Sequence, residues 1–197
     1  MNRDGSEASA APKNKVGPRY NLHSAIMRIG YGWDSHEFKS GVPLKIGGLH
    51  IPHAKGLGGH SDGDVLLHAI TDALLGAIAA PDIGTLFSPS DSRWKGADSA
   101  VFLEEALRRV KSAGYKISNI DSTLILAEPK IGPHAASIRA RVSELTALSP
   151  DCIGIKAKTP EGMGTENAAI AHATVLLESA PRRSGPRTPS KSKSRGR

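Results

Sequence analysis

The sequence predicts an α/β (α+β) sandwich, a mixed β-sheet with three helices packed on one face, and three observations carry that expectation. Short β-like runs alternate with helical runs between residues 27 and 178, the pattern of a sheet covered by helices. Three of the runs have the length and apolar spacing of helices. The stretch 28–180 also has the size of one domain, about 100–150 residues being typical.

Each element has a local reason. MRIGYGW (27–33) and VPLKIGGLHI (42–51) read as two strands joined by a polar turn around Lys39, Ser40 and Gly41. DGDVLLHAITDALLGAIAA (62–80) is rich in Ala and Leu and reads as a helix ended by Pro81. In ADSAVFLEEALRRVKSAG, Asp98 or Ser99 can cap a second helix. Val101, Leu103, Ala106, Leu107 and Val110 form its apolar stripe, and Gly114 stops it. YKISNIDSTLILAE (115–128) is strand-like, with a buried end at Leu124, Ile125 and Leu126. PHAASIRARVSELTAL (133–148) gives the third helix, with Pro133 in its first turn. CIGIKAKT (152–159) and AAIAHATVLLE (168–178) close the domain as strands, the second ambiguous with a helix because of its Ala and Leu. One sheet face is left open, so a homo-oligomer is expected on structural grounds alone.

The 197-residue chain carries a formal net charge of +7, and the position of that charge matters more than its size. Seven of the 26 basic residues lie in the Pro/Ser/Gly-rich stretch 181–197, which has no acid. Residues 28–180 hold 15 basic against 17 acidic side chains. The expected organisation is therefore a disordered extension (1–27), one domain (28–180) and a disordered basic tail (181–197). The tail has no aromatic residue to stack on bases, so nucleic-acid binding is not expected of it. No run reaches the roughly 18 apolar residues of a membrane span, and no secretory signal is visible. A soluble, cytoplasmic protein without membrane association is expected. Cys152 is the single cysteine, which excludes an intrachain disulfide and any multi-thiolate metal site within one chain. A metal would have to be held by His and carboxylate.

Five of the eight histidines fall between positions 36 and 68. Asp34 and His36 are two apart on a predicted strand, so an extended backbone points both to one face. A carboxylate and an imidazole there supply two of the three protein ligands of an open zinc site. Taken alone, D-x-H is equally what a surface or core pair looks like. The helix offers the third ligand: Asp64, His68 and Asp72 are spaced i, i+4, i+8 on an otherwise apolar segment. Asp64 or Asp72 would accept from the other ring nitrogen of His68 and fix its tautomer. GGHSDGD places His60 and Ser61 before that helix, where free N–H groups favour an anion. KAKTPEGMGTEN supplies Lys156, Lys158, Thr159 and Glu161 in a Gly-containing loop suited to phosphate and a magnesium ion. Together these features point to phosphate chemistry with metal assistance.

RIGYGWDSHEF, IGGLHIPHAKGLGGHSDGDVLLHAITDALLGA, DIGTLF, WKGADS and IKAKTPEG, in that order, resemble the 2-C-methyl-D-erythritol 2,4-cyclodiphosphate synthases of the non-mevalonate isoprenoid pathway. The resemblance covers about residues 27–178 and leaves both tails outside. It implies a homotrimer with active sites at subunit interfaces. The implied reaction converts 4-diphosphocytidyl-2-C-methyl-D-erythritol 2-phosphate to the cyclic diphosphate: the 2-phosphate attacks the β-phosphorus and CMP leaves. By motif, the resemblance assigns Zn2+ or another divalent transition metal to Asp34, His36 and His68, and Mg2+ or Mn2+ at the diphosphate to Glu161. Asp34 and His36 also fall within the substrate-binding set. His60 and Thr159 match transition-state stabilisers, and Ser61 matches a contact at the phosphate and erythritol end. Asp82, Ile83 and Gly84 match the stretch near the ribose. Phe87, and Asp91 in place of a family acid, fall at the erythritol moiety. Lys130, with Lys158, Thr159, Pro160 and Glu161, matches a cytidine and diphosphate pocket supplied by the adjoining subunit.

The sequence departs from the family in two places. The family's Gly-Phe-x-Gly-Arg stretch is replaced by the shorter GMGTENAAI, and its Phe-Pro-Asp reads Phe87, Ser88, Pro89. The alternative reading is another zinc-dependent phosphoesterase or cyclase on the same fold.

Overall fold

The structure, a computed structural model, describes residues 26–180. The expectations for residues 1–25 and for the basic tail lie outside the described residues. Met27, the last residue of the expected extension and the first of the predicted strand 27–33, opens the first strand and pairs with Glu178.

Among the described residues seven strands form: β1 (Met27–Ser40), β2 (Leu44–Ile46), β3 (Leu49–Ile51), β4 (Lys55–Leu57), β5 (Tyr115–Ile125), β6 (Ile153–Lys158) and β7 (Ala168–Ser179). The helices are α1 (Val65–Ala77), the single turn α2 (Ile83–Leu86), α3 (Ser99–Ser112) and α4 (Ala135–Thr146). The main sheet has the order β4-β1-β7-β5-β6 and is mixed: β5 and β6 run parallel, the other neighbours antiparallel. Helix α1 lies on β1 and β7, α4 on β6, and α3 chiefly on α1. The predicted mixed sheet and its three main helices are present.

AAIAHATVLLE resolves as the central strand β7. Ala169, Ala171, Ala173, Val175 and Leu177 alternate toward the helices and are buried, a period of two that a helix cannot satisfy. VPLKIGGLHI is not one strand. Gly47 and Gly48 take φ of 65° and 75°, the left-handed region open to glycine, and fold it into the separate β2–β3 hairpin. The turn at residues 39–41 does not return onto that segment, because β1 runs on to Ser40 and pairs there with β4. β4 and α2, three and four residues long, are too short for periodicity to reveal.

Helix α1 sits directly on the backbone of β1, and two glycines allow it. A β-carbon at Gly30 would lie 1.8 Å from the carbonyl oxygen of Ala73, and one at Gly32 would lie 2.3 Å from that of Ala69. No side-chain adjustment relieves a clash with helix backbone. Gly32→Ala is therefore expected to push α1 off β1, lowering the melting temperature and reducing activity together. A thermal melt matching that of the parent chain would refute this packing.

The opposite face of the sheet is uncovered. Ile29 is 72% exposed, Tyr31 58% and Trp33 55%, all on β1. Among the described residues, no helix is long and apolar enough to cross a membrane.

Candidate metal centre and substrate cavity

The close packing of α1 on β1 carries His68 to Asp34 and His36. On β1, Gly30, Gly32, Asp34, His36 and Phe38 alternate onto the helix-facing side, so the glycines that admit the helix precede the two polar residues that meet it. The Oδ2 atom of Asp34 lies 2.9 Å from His36 Nε2 and 2.8 Å from His68 Nδ1, and the two nitrogens are 3.1 Å apart. Burial works against a charge on Asp34, but hydrogen bonds from His36 and His68 outweigh it and hold the carboxyl well below the usual carboxylate range. Burial likewise opposes a charge on His36, and the Asp34 carboxylate overrides it and moves that imidazole upward.

Three donor atoms turned toward one another repel unless a cation or protons lie between them. Ligands held 2.0–2.2 Å from a tetrahedral zinc ion stand about 3.3 Å apart, close to the separations found here. The set is one carboxylate oxygen and two imidazole nitrogens, a chemistry that suits a divalent transition metal. The residues present therefore fit the group, and the predicted triad is assembled as the spacing implied.

The second-partner expectation for His68 is corrected. Asp64 is fully buried and caps α1, accepting from Leu67 N at 3.0 Å. It also accepts from Gly47 N at 2.9 Å and Gly48 N at 2.6 Å. Burial pushes its carboxyl upward against the pull of these three N–H groups. Asp72 accepts from Ile83 N at 2.8 Å and so ties α2 to α1; burial raises its carboxyl too. Neither reaches the outer nitrogen of His68. That nitrogen, Nε2, faces Ser99 Oγ at 2.9 Å and Ser61 Oγ at 3.0 Å. The helix start expected to bind an anion is also closed, since Asp64, Val65 and Leu66 are all buried.

Asp34, His36, His60, Ser61, His68, Ile83, Gly84 and Phe87 line one cavity of about 240 Å³. Trp94 and Phe102, which sequence reasoning did not single out, also line it. Phe87 packs on Trp94 and Phe102 with ring centroids 5.1 and 4.6 Å away, and Phe102 lies 6.1 Å from the His68 ring, so this apolar surface adjoins the metal ligands. The loop that carries His60 is pinned to the segment before α3: Gly96 N donates to His60 O at 2.8 Å and Asp62 N to Ala97 O at 3.0 Å. HSDGD and WKGADS are thus two sides of one structure. Asp82 caps α2 at the cavity's edge through Thr85 N. Asp91 caps the turn at Ser92–Trp94, and its carboxylate is held by Arg93 at 2.5 Å, outside the cavity wall.

Lys130, Lys158, Thr159 and Glu161 line a different cavity of about 530 Å³ with Leu126, Pro129 and Ile131. Thr159 Oγ1 donates to Glu161, Lys130 Nζ donates to Ala127 O at 3.4 Å, and Pro160 is buried beside them. The two cavities share no residue. The register shows why: Ser35 pairs with Ile170, Ile170 with Ile125, and Ile125 with Lys158. Lys158 stands level with the metal ligands along the strands, but three strand spacings, about 14 Å, across the sheet. Within one chain the Lys/Thr/Glu cluster does not meet the metal centre.

The YgbB family model matches residues 27–178, nearly the whole described domain. The chain belongs to the YgbB family. Over 153 residues, 78% of this chain and 99% of the relative, it is 61% identical to 2-C-methyl-D-erythritol 2,4-cyclodiphosphate synthase of Koribacter versatilis. It is 52% identical to the chloroplastic enzyme of the same name from Arabidopsis thaliana, over 76% of this chain and 66% of that one. A solved synthase of that name in a CDP-bound form superposes with a TM-score of 0.73 at 47% identity, covering 76% of this chain and 99% of that one.

Proposed function

We propose that this YgbB-family chain is a phosphorus–oxygen lyase that converts 4-diphosphocytidyl-2-C-methyl-D-erythritol 2-phosphate to 2-C-methyl-D-erythritol 2,4-cyclodiphosphate and releases CMP. The observation that carries the reading is the Asp34/His36/His68 triad opening into a cavity with one polar and one aromatic wall, in a chain 61% identical to a synthase of that name. In the reaction an oxygen of the 2-phosphate forms a bond to the β-phosphorus. The bond from that phosphorus to the oxygen bridging it to the α-phosphate breaks, and CMP departs with the electron pair.

Asp34, His36 and His68 would hold a divalent transition metal, which would supply electrostatic stabilisation of phosphate oxygens. The protein's own work is positioning, which dominates phosphoryl transfer. His60 and Ser61 stand at the cavity mouth, where an imidazole and a hydroxyl donate to phosphate oxygens. Phe87, Trp94 and Phe102 exclude water and receive the carbon skeleton. Ile83 and Gly84 contribute to the cavity lining, and Asp82, the cap of α2, accepts from a ribose hydroxyl.

Thr159 and Glu161, with Lys130, Lys158 and Pro160, serve the cytidine and diphosphate end, and Glu161 is the proposed ligand of Mg2+ or Mn2+. The roughly 14 Å between Lys158 and the triad is closed by a neighbouring copy. A homotrimer that buries Ile29, Tyr31 and Trp33 at its centre would do this, since an exposed apolar sheet face marks an interaction surface. Each active site then takes its triad from one chain and its Lys/Thr/Glu cluster from the next.

The test is release of CMP from the cytidylyl substrate by purified protein, followed by chromatography with and without chelator. Turnover that disappears with chelator and returns on adding zinc and magnesium is expected. Hydrolysis of other phosphate esters without CMP release would favour the alternative, a different zinc-dependent phosphoesterase or cyclase.

A further inference from the structure

We propose that Ser99, backed by Asp62 and Lys45, is a positioning residue that fixes the proton of His68 on Nε2 and so keeps Nδ1 open as a metal ligand. The inference rests on the metal reading above and goes beyond it by naming what orients the third ligand. Ser99 is fully buried at the first position of α3, and its Oγ lies 2.5 Å from Asp62 Oδ1 and 2.9 Å from His68 Nε2. A carboxylate only accepts, so the single hydroxyl proton of Ser99 goes to Asp62. The oxygen of Ser99 is left with lone pairs alone toward His68, so Nε2 must be the donor. A neutral imidazole that donates through Nε2 has its lone pair on Nδ1, the atom that faces Asp34 and His36.

The direction of this relay is anchored at its far end. Lys45 Nζ, on β2, donates to Asp62 Oδ2 at 3.0 Å and to Asp98 Oδ2 at 3.2 Å. Asp98 in turn caps α3, the helix that begins at Ser99, by accepting from Ala100 N at 2.9 Å. The β2–β3 hairpin, the HSDGD loop and the start of α3 therefore converge on one imidazole. Ser61 also stands 3.0 Å from His68 Nε2, but it borders the cavity, and its contacts to Gly63 N and Ser99 Oγ are both 3.5 Å. Its hydroxyl can turn to a ligand while Ser99 keeps hold of His68.

The test uses the full chain loaded with zinc. Zinc affinity is read by competition with a chromophoric chelator, and the His68 ring N–H by nitrogen-edited proton NMR. The parent protein should show a slowly exchanging Nε2–H. Ser99→Ala should lose that signal and bind zinc about 10–100-fold more weakly, the usual penalty for removing a ligand's hydrogen-bond partner. Asp62→Asn, whose amide can donate to Ser99 and reverse the relay, should weaken zinc in the same way without opening a void at Ser99. Ser61→Ala should leave both readouts near the parent values. Equal zinc affinity and an unchanged ring signal in Ser99→Ala and Asp62→Asn would overturn the relay, as would loss confined to Ser61→Ala. A parent protein that binds no zinc would instead overturn the metal assignment itself.

Discussion

His68→Ala is expected to lower CMP release by about 1000-fold or more while leaving the fold intact. The loss corresponds to several kcal/mol of metal-derived charge stabilisation, at about 1.4 kcal/mol for each tenfold change. The fold survives because the side chain contributes little to the core: α1 keeps its Asp64 cap and its buried face of Leu66, Leu67, Ile70 and Leu74. Circular dichroism and oligomer size should match the parent, whereas zinc content should fall. The same variant tests the shared site. Thr159→Ala alone should also be inactive, yet chains of the two variants, unfolded and reassembled together, should regain activity. In random mixtures roughly a quarter of the interfaces pair an intact triad with an intact Thr159. A mixture as inactive as its components would contradict a site built across two subunits.

Asp64→Ala should cause the largest loss of stability at a single polar residue. The carboxylate satisfies three N–H groups, those of Leu67, Gly47 and Gly48, and all of it is inaccessible to water. Removing a helix cap costs about 1 kcal/mol. Each buried donor left unpaired adds about 1–3 kcal/mol. With the cap lost and the Gly47 and Gly48 donors unpaired, the sum, roughly 3–7 kcal/mol, is a large part of the 5–15 kcal/mol typical of a domain, and it corresponds to a fall of about 6–28 °C in melting temperature at this chain length. Asp64→Asn should lie between the two, because its amide keeps one acceptor oxygen for Leu67 or the hairpin but not for all three donors. A melt of Asp64→Ala within 2 °C or so of the parent would show that the hairpin and helix do not depend on this carboxylate.

These two residues also show what could be read from the sequence. Asp34 and His36 could be paired because a strand's two-residue period puts them on one face, and His68 stood out as a histidine within an apolar helix. The roles of its neighbours could not be read the same way. The i, i+4, i+8 stripe correctly grouped Asp64, His68 and Asp72, but an i+4 spacing does not say what each side chain meets across the chain. Asp64 turns to the Gly47–Gly48 bend, and Asp72 turns to the start of α2. Ser99 is 31 residues from His68 and meets it only because α3 packs on α1 and the HSDGD loop is tied to Gly96 and Ala97. A serine beside a helix-capping Asp98 carries no local sign of that contact.

The misread hairpin has a similar cause. Val42–Ile51 is continuously strand-like in residue type, and the only sign of a turn is Gly47-Gly48, which is also compatible with a glycine-rich strand. The turn is decided by packing: Gly47 lies against Ile138 and Leu66, where positive φ lets the backbone approach Asp64. The open sheet face was legible, because helices were predicted for only one face of the sheet. The separation of the Lys/Thr/Glu cluster from the triad was implied only by the family resemblance, which gives the cluster to an adjoining subunit, and not by the residues themselves, since it follows from the position of β7 and β5 between β1 and β6.

The central claim is that this chain joins two phosphates of one substrate and expels CMP. Phosphorus NMR of the reaction mixture reports it most directly. Incubation of the cytidylyl 2-phosphate substrate with the zinc- and magnesium-loaded protein should replace the three substrate phosphorus signals with CMP and two mutually coupled signals of a cyclic diphosphate. A mixture that yields inorganic phosphate or an open-chain product, or that retains the substrate signals at full metal occupancy, would contradict the account.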